Sequence, residues 1–209
     1  MTPPEGERPR GRRHEDFEIS YAGRPPWDIG KPQAVFLALA EAGEFRGRIL
    51  DAGCGTGEHT LMAARLGLDA TGIDAAPSAI ALAQAKARER GVAARFLVWN
   101  ALELGSLDGP FDTVLDSGLF HVFNDEDQRA YVASLKTATA PGSRVFMACF
   151  SDRQPGDWGP RRVTQAEIRA CFADGWRVDS IEPAQFETLI VGPNVQAWLA
   201  KITRIDERR

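Results

Sequence analysis

Cysteine is scarce in this chain. Three among 209 residues, Cys54, Cys149 and Cys171, make an odd count, and no pair has the spacing of a metal knuckle or a disulfide framework. That pattern suits a reducing compartment, so the cytoplasm is the expected location. Histidine is as rare: His14, His59 and His121 are the whole supply. A zinc centre would draw on a very small pool of ligands, and no metal is expected. No run approaches the roughly 20 apolar residues of a membrane span. No hydrophobic stretch near the start marks a cleavable targeting signal. An excess of positive charge is also missing. With 25 Lys and Arg against 29 Asp and Glu, the formal charge is −4, which gives no electrostatic footprint for nucleic acid. Neither nucleic acid nor membrane is expected as a partner. No segment reads as an oligomer interface, so a monomer or weak homodimer is expected.

What is present belongs to a globular protein. The hydrophobic fraction of 44% and charged fraction of 26% are ordinary for a soluble domain, and the length suits one domain with one core. Residues 1–14 mix Arg8, Arg10, Arg12 and Arg13 with acids and prolines and read as a disordered polar tail. The single domain is expected over residues 15–209, opening with an arm or lid at 15–45. The first part of that arm, residues 15–32, lacks periodicity and holds Phe17, Tyr21 and Trp27 among polar residues and prolines. Its aromatics either dock on the core or wall a ligand site.

Beyond the arm the pattern alternates. Pro32 opens a helix running through Gln33–Ala42. Strands follow at 49–53, 68–74, 93–98, 110–117, 144–150 and 176–182, separated by helices at 58–66, 77–90, about 124–138 and 164–173. Thr164 with Glu167 forms a capping box, and Pro141-Gly142 reads as a turn. The stretches 186–191 and 195–205 are extended, the last a closing strand, antiparallel to the rest. Strand–helix alternation predicts a mostly parallel sheet covered on both faces, an α/β fold. Ligands of such sheets bind beyond the carboxyl ends of the strands.

The chemistry gathers at ILDAGCGTG (49–57) and at the end of ATGID (70–74). Gly53, Gly55 and Gly57 follow the first strand and open a helix, permitting close backbone approach to a ligand. A dinucleotide fingerprint would read G-x-G-x-x-G, whereas this loop reads G-x-G-x-G. Asp51 before it and Glu58 after it would repel a pyrophosphate and suit an ammonium-bearing ligand without phosphate. Asp74, ending the second strand, is placed to accept ribose hydroxyls.

These residues resemble those of the class I S-adenosylmethionine-dependent methyltransferases, over roughly residues 30–205. The resemblance implies a Rossmann-like, three-layer sandwich with a seven-stranded sheet whose last strand is antiparallel. It implies S-adenosylmethionine as cofactor. By position, Asp51 and the backbone of Gly53 to Gly57, Cys54 included, would hold its methionine part. Asp74 would hold the ribose and Ala75 the adenine edge. Asn100 stands where the family usually has an acid and offers a carbonyl acceptor, beside Ala101. Asp116, ending the fourth strand, would sit near the transfer site. Cys54 itself reads as a small buried filler.

PPWDIGKPQ (25–33), LDSGLFHVF (115–123) and PGDWGPRRV (155–163) resemble a narrower small-molecule branch. It is related to thiopurine and halide methyltransferases and to bacterial quinone and quinolone methyltransferases. In that branch the arm around Trp27 and Asp28 folds over the cofactor. The implied partner is a small, compact, aromatic or heterocyclic acceptor, with O-methylation favoured over N or S. His121 is the leading candidate for a general base, with Asp28 or Asp16 orienting it and Tyr21 as a second proton-handling candidate. The alternative for His121 is a structural histidine bonded to a backbone carbonyl. Phe17, Trp27, Phe120, Phe123 and Trp158 are expected to form the acceptor pocket. One of Arg161 and Arg162, Arg161 first, is expected to pair with an anionic group on the acceptor, the alternative being a solvated surface pair. Two other readings compete: a nicotinamide oxidoreductase, disfavoured by the glycine spacing and Asp51, and a non-catalytic protein that only binds the cofactor.

Overall fold

Ile49 and Leu50 are adjacent, both fully buried, and belong to opposite layers. This is what a strand covered on both faces requires, because successive side chains point to opposite sides. The strand, β1 (Arg48–Ala52), lies inside a seven-stranded sheet with β2 (Asp69–Asp74), β3 (Arg95–Val98), β4 (Phe111–Ser117), β5 (Thr139–Phe150), β6 (Trp176–Phe186) and β7 (Val195–Arg204). The order is β3-β2-β1-β4-β5-β7-β6. Strands β1 to β5 pair in parallel, and β7 runs antiparallel to both β5 and β6. The chain builds outward from β1 to β3 and then crosses to β4, so the switch point falls between β1 and β4. The computed structural model describes residues 14–189 and 195–206. The tail expected over 1–14 lies, His14 apart, outside them, as does the end of the 186–191 stretch.

Helices supply the two outer layers. On one face, α5 (Asp125–Ala138) and α6 (Gln165–Cys171) pack Tyr131, Leu135 and Ile168 against Leu50, Val114 and Met147. On the other, α2 (Ala34–Glu41) and α3 (Glu58–Arg65) pack Phe36, Leu39 and Met62 against Ile49, Leu115 and Phe146. A third cluster joins α3 and α4 (Pro77–Glu89) through Leu61, Ile80, Ala83 and Phe96. Asn124 caps α5 by accepting from Asp127 N, and Thr164 forms the expected capping box with Glu167. Among the described residues, no helix is long and apolar enough to cross a membrane.

Three local expectations change. The aperiodic arm contains a short helix, α1 (His14–Ser20), which packs Phe17 beside Tyr21, Ala76 and Ala79. Pro32 does not open α2; Gln33 stands at its N-cap. Pro141-Gly142 does not end before β5 but bulges within it. Thr139 faces Phe111 and Arg144 faces Thr113, while Gly142 adopts φ 92° and Ser143 Oγ donates to Phe111 O. The free edge of β4 offered Thr139 a partner that local turn chemistry does not reveal.

Candidate active site

Gly53 and Gly55 leave β1 with φ of 68° and 52°. A Cβ on Gly55 would stand 2.8 Å from Tyr21 Oη, and one on Gly53 would stand 3.1 Å from Leu119. The backbone is thus bare where it faces a cavity, as close approach to a ligand needs. Cys54 N donates to Ile73 O at 2.8 Å. Asp74 Oδ2 accepts from Gly55 N at 2.9 Å and Oδ1 from Ala76 N at 2.9 Å. One carboxylate therefore ties the loop to the next turn.

The cavity beside this loop measures about 590 Å³ and runs along the carboxyl edge of the sheet. At one end are Asp74, Ala75, Trp99, Asn100 and Ala101; at the other, His121, Phe123, Phe150, Trp158 and Phe186. Phe17, Tyr21 and Trp27 close it from the arm. Trp27 Nε1 donates to Tyr21 Oη at 3.0 Å, and the two rings meet edge to face. A smaller cavity of about 60 Å³ adjoins Gly53, Gly55 and Thr56 and is lined by Lys31, Gln33 and His59.

Several expected ligands face elsewhere. Gly57 backs onto β3 and α4, where a Cβ would strike Phe96 and Ala83 below 3.0 Å. Cys54 is buried against Gly72, and burial raises its thiol pKa well above the usual range, which makes it a filler. Asp51 lies beneath the loop rather than on a cavity wall. Its Oδ2 accepts from Thr60 N at 3.0 Å and Thr60 Oγ1 at 2.6 Å. Its Oδ1 is buried with no hydrogen-bond partner among the described residues. Burial first, and the charge of Asp74 in addition, push it up to about 7, against the hydrogen bonds from Thr60. Asp116 is fully buried and accepts from Leu119 N at 2.8 Å and from Phe120 N. It steadies the single-turn helix Phe120–Val122 that carries His121 instead of meeting the transfer site, and burial lifts it too to about 7. Asn100 lines the cavity, but its carbonyl caps the next turn by accepting from Leu102 N at 3.0 Å.

Charge near the loop is also arranged differently. Glu58 is held by Lys86 at 2.8 Å and doubly by Arg90, and those partners lower its pKa against the effect of burial. It offers a ligand no free charge. Lys86 also donates to Thr56 Oγ1 at 2.6 Å, and Thr56 donates to Asp28 Oδ1 at 3.0 Å. Asp28 is therefore a latch between arm and loop, outside the larger cavity, and not a partner of His121. The side chain of Asp16 lies outside those described. Gln33 completes the anchoring. Its backbone N donates to His59 Nε2 at 3.0 Å, and its side chain exchanges two hydrogen bonds with the backbone of Glu187. Burial lowers His59 to about 4, so this histidine is a neutral anchor of the arm.

The acceptor end departs from expectation at four residues. Phe120 is wholly buried against Phe172, because the turn before it points the ring into the core. Arg161 reaches the cavity, yet its guanidinium is bound to Asp125 at 2.6 Å and to Glu167, so its charge is spent. Tyr21 is shifted well above the ordinary phenol range by burial and by Asp74, which makes it a poor base. His121 lies between Phe150 and Phe186, 5.0 and 6.1 Å between ring centroids, and its Nδ1 accepts from Phe150 N at 3.0 Å. An N–H must face a ring nitrogen and not a ring C–H, so the neutral ring carries its proton on Nε2. The bond runs from a backbone N–H, not to a carbonyl, and taking up a second proton at Nδ1 would break it. Phe150 and Phe186 carry no local sequence motif. Both are last residues of strands, and their only sequence signal is that position at the carboxyl edge of the sheet.

Comparison with known proteins agrees with this geometry. A methyltransferase-domain family model matches residues 49–142. A 2-heptyl-1-hydroxyquinolin-4(1H)-one methyltransferase of Mycobacteroides abscessus is 40% identical over 81% of this chain and 79% of its own length. A demethylmenaquinone methyltransferase of Thermus thermophilus is 37% identical over 61% of the chain and 56% of its own length. A solved structure, described with the conversion of a disulfide bond into a thioacetal group during echinomycin biosynthesis, superposes with a TM-score of 0.86 and 38% identity, covering 92% of this chain and 93% of the other. The chain belongs to the class I S-adenosylmethionine-dependent methyltransferases. It is an enzyme that binds S-adenosylmethionine and methylates a small molecule.

Proposed function

We propose that this enzyme O-methylates a flat, apolar heteroaromatic acceptor of the hydroxyquinolone or quinone type, and that the acceptor arrives already ionised at the oxygen that takes the methyl. The observation carrying this reading is the acceptor end of the cavity. Phe123, Phe150, Trp158 and Phe186 wall it, and Arg161 is already neutralised by Asp125 and Glu167. Such walls favour a ring and leave no spare guanidinium for a carboxylate or phosphate. The similarity to the mycobacterial quinolone methyltransferase supports the same acceptor class.

The residues present suit the cofactor. Asp74 would hold the ribose, Ala75, Trp99 and Ala101 the adenine, and the bare backbone at Gly53 and Gly55 the methionine part. When bound, the cofactor supplies an electrophilic methyl group on a cationic sulfur. The protein aligns and desolvates the partners, with Tyr21 and Trp27 closing the arm over them. Transfer to an ionised oxygen would exchange the C–S bond for an O–C bond and leave the electron pair on sulfur, so it would ask no proton acceptor of the protein. No proton moves, which fits a His121 whose Nδ1 is already bonded to Phe150 N–H.

The test is label transfer from methyl-labelled cofactor to a panel of N-hydroxyquinolones, hydroxyquinones, phenols, aromatic amines and thiols. Label on oxygen of the first two classes, at rates at least tenfold above the rest, is the expected result. Preference for an amine or thiol sinks the oxygen assignment, and label on none of them sinks the acceptor class.

A further inference from the structure

The wall of the acceptor cavity that most needs explaining is Trp158. It stands 37% exposed on a surface loop with no secondary structure, yet it meets Phe150 edge to face at 5.9 Å between centroids and lines the cavity. The loop spans residues 152–162. Its neck is closed by the bridge between Ser151 and Val163 and by the bonds Asp152 N to Val163 O and Val163 N to Phe150 O. Near the neck, Ser151 Oγ accepts from Arg153 N, Asp152 Oδ1 from Trp198 Nε1 and Gln154 Oε1 from Gln196 N; farther in, Arg162 bonds four of the loop's carbonyls. Arg162 Nε donates to Gln154 O at 3.1 Å, Nη1 to Pro160 O at 2.6 Å, and Nη2 to Gly156 O at 3.1 Å and Trp158 O at 3.0 Å. The same guanidinium lies 5.4 Å from the Phe150 ring centroid and 5.6 Å from that of Trp158.

From this arrangement we infer that Arg162 is a positioning residue for acceptor recognition, holding the loop so that Trp158 forms the outer wall against the aromatic acceptor. The inference rests on the acceptor class proposed above. Four carbonyls of this half-exposed loop converge on one planar guanidinium, whose five N–H groups reach all of them at once. A lysine ammonium has three donors at a single point and cannot span the loop. The loop contacts only the acceptor end of the cavity, so loosening it should affect the acceptor and spare the cofactor.

The experiment is steady-state kinetics with 2-heptyl-1-hydroxyquinolin-4(1H)-one as the acceptor, alongside calorimetric binding of S-adenosylhomocysteine. Arg162→Lys is expected to raise the acceptor KM about tenfold, with kcat within about threefold and S-adenosylhomocysteine affinity unchanged. Trp158→Ala should do the same, and the double variant should lose no more than either single one, because both act on one wall. Unchanged acceptor KM in Arg162→Lys, an equal loss of cofactor affinity, or additive losses would each overturn the proposal. Should Arg162→Lys not fold, Gly156→Ala reaches the same wall from an exposed turn. Its φ is +79° and its new Cβ would lie 3.1 Å from the Trp158 ring. Acceptor-only loss is expected there as well, and a wild-type acceptor KM in that variant overturns the proposal. A wild-type enzyme that labels no aromatic acceptor defeats both this inference and the acceptor class; one that labels the quinolone while the variants keep its KM defeats this inference alone.

Discussion

At the residue scale the informative group is Asp51, an acid held protonatable near neutrality beneath the glycine loop proposed to hold the cationic cofactor. Its ordinary value of 3.8 is raised to about 7 in the fold. A raised folded value means that the folded state holds the proton more tightly than the unfolded chain. The associated stability is complete below about 3.8 and is lost as pH rises through about 7. Asp116 works in the same direction over the same window. The cofactor-free enzyme is therefore expected to melt at a lower temperature at pH 8 than at pH 5, and Asp51→Asn should flatten that difference by raising the pH 8 value. A cationic cofactor reverses the preference by favouring the carboxylate. Binding of S-adenosylmethionine near pH 7 should release a fraction of a proton and tighten as pH rises from 6 to 8. Calorimetry in two buffers of different ionisation enthalpy reads this directly. If Asp51→Asn releases as many protons as the wild type, the assignment to Asp51 is wrong.

At the scale of elements, the arm matters more than any single ligand. It is sewn down at three points: Asp28 to Thr56 and Lys86, Gln33 to His59 and the backbone of Glu187, and Leu189 N to Pro26 O. The Asp28 latch is part-exposed, so the expected cost of breaking it is about 1 kcal/mol. Asp28→Asn should weaken S-adenosylhomocysteine binding about fivefold, speed its dissociation, and leave the melting temperature within about 2 °C, since the latch lies outside the main core. Stopped-flow displacement gives the rate, and an unchanged dissociation rate would show that the arm does not gate the site. The sequence made the sheet, its long helices and the capping box at Thr164 legible because periodicity and capping are local signals. It made the glycine loop and Asp74 legible because a strand, a loop and an acid stand at fixed spacing. It could not show α1, whose seven residues are too few for a period, or the bulge at Gly142, which exists because β4 lies alongside. Nor could it show that Asp28 latches, that Glu58 is neutralised or that Phe120 turns inward. Each of those depends on a partner between 28 and 58 residues away.

At the scale of the whole molecule, the sheet brings two kinds of surface to one edge. Polar backbone and Asp74 stand at the ends of β1 and β2, while rings stand at the ends of β5 and β6. The cavity between them contains few titratable groups. Asp74 is engaged by two backbone N–H groups, Tyr21 is shifted away from ionisation, Arg161 is paired, and His121 lies between Phe150 and Phe186 with Nδ1 accepting from a backbone N–H. Asp116 is raised to about 7, but it lies fully buried beneath the turn that carries His121, bonded to the backbone of that turn and off the cavity wall. No base is thereby offered at the acceptor end, so the ionisation that matters should belong to the acceptor. A series of ring-substituted N-hydroxyquinolones whose own pKa values differ by about two units separates the two cases. Measurements are made at saturating cofactor, so that Asp51 does not contribute to the profile. If the acceptor arrives ionised, kcat/KM falls tenfold per pH unit below the pKa of each acceptor, and the limb moves with the substituent by the full two units. A side-chain base would instead give one limb at a fixed pH for the whole series. A limb that stays fixed across the series, and moves only on substitution of His121, would restore the histidine as the base and remove the ionised acceptor from the mechanism.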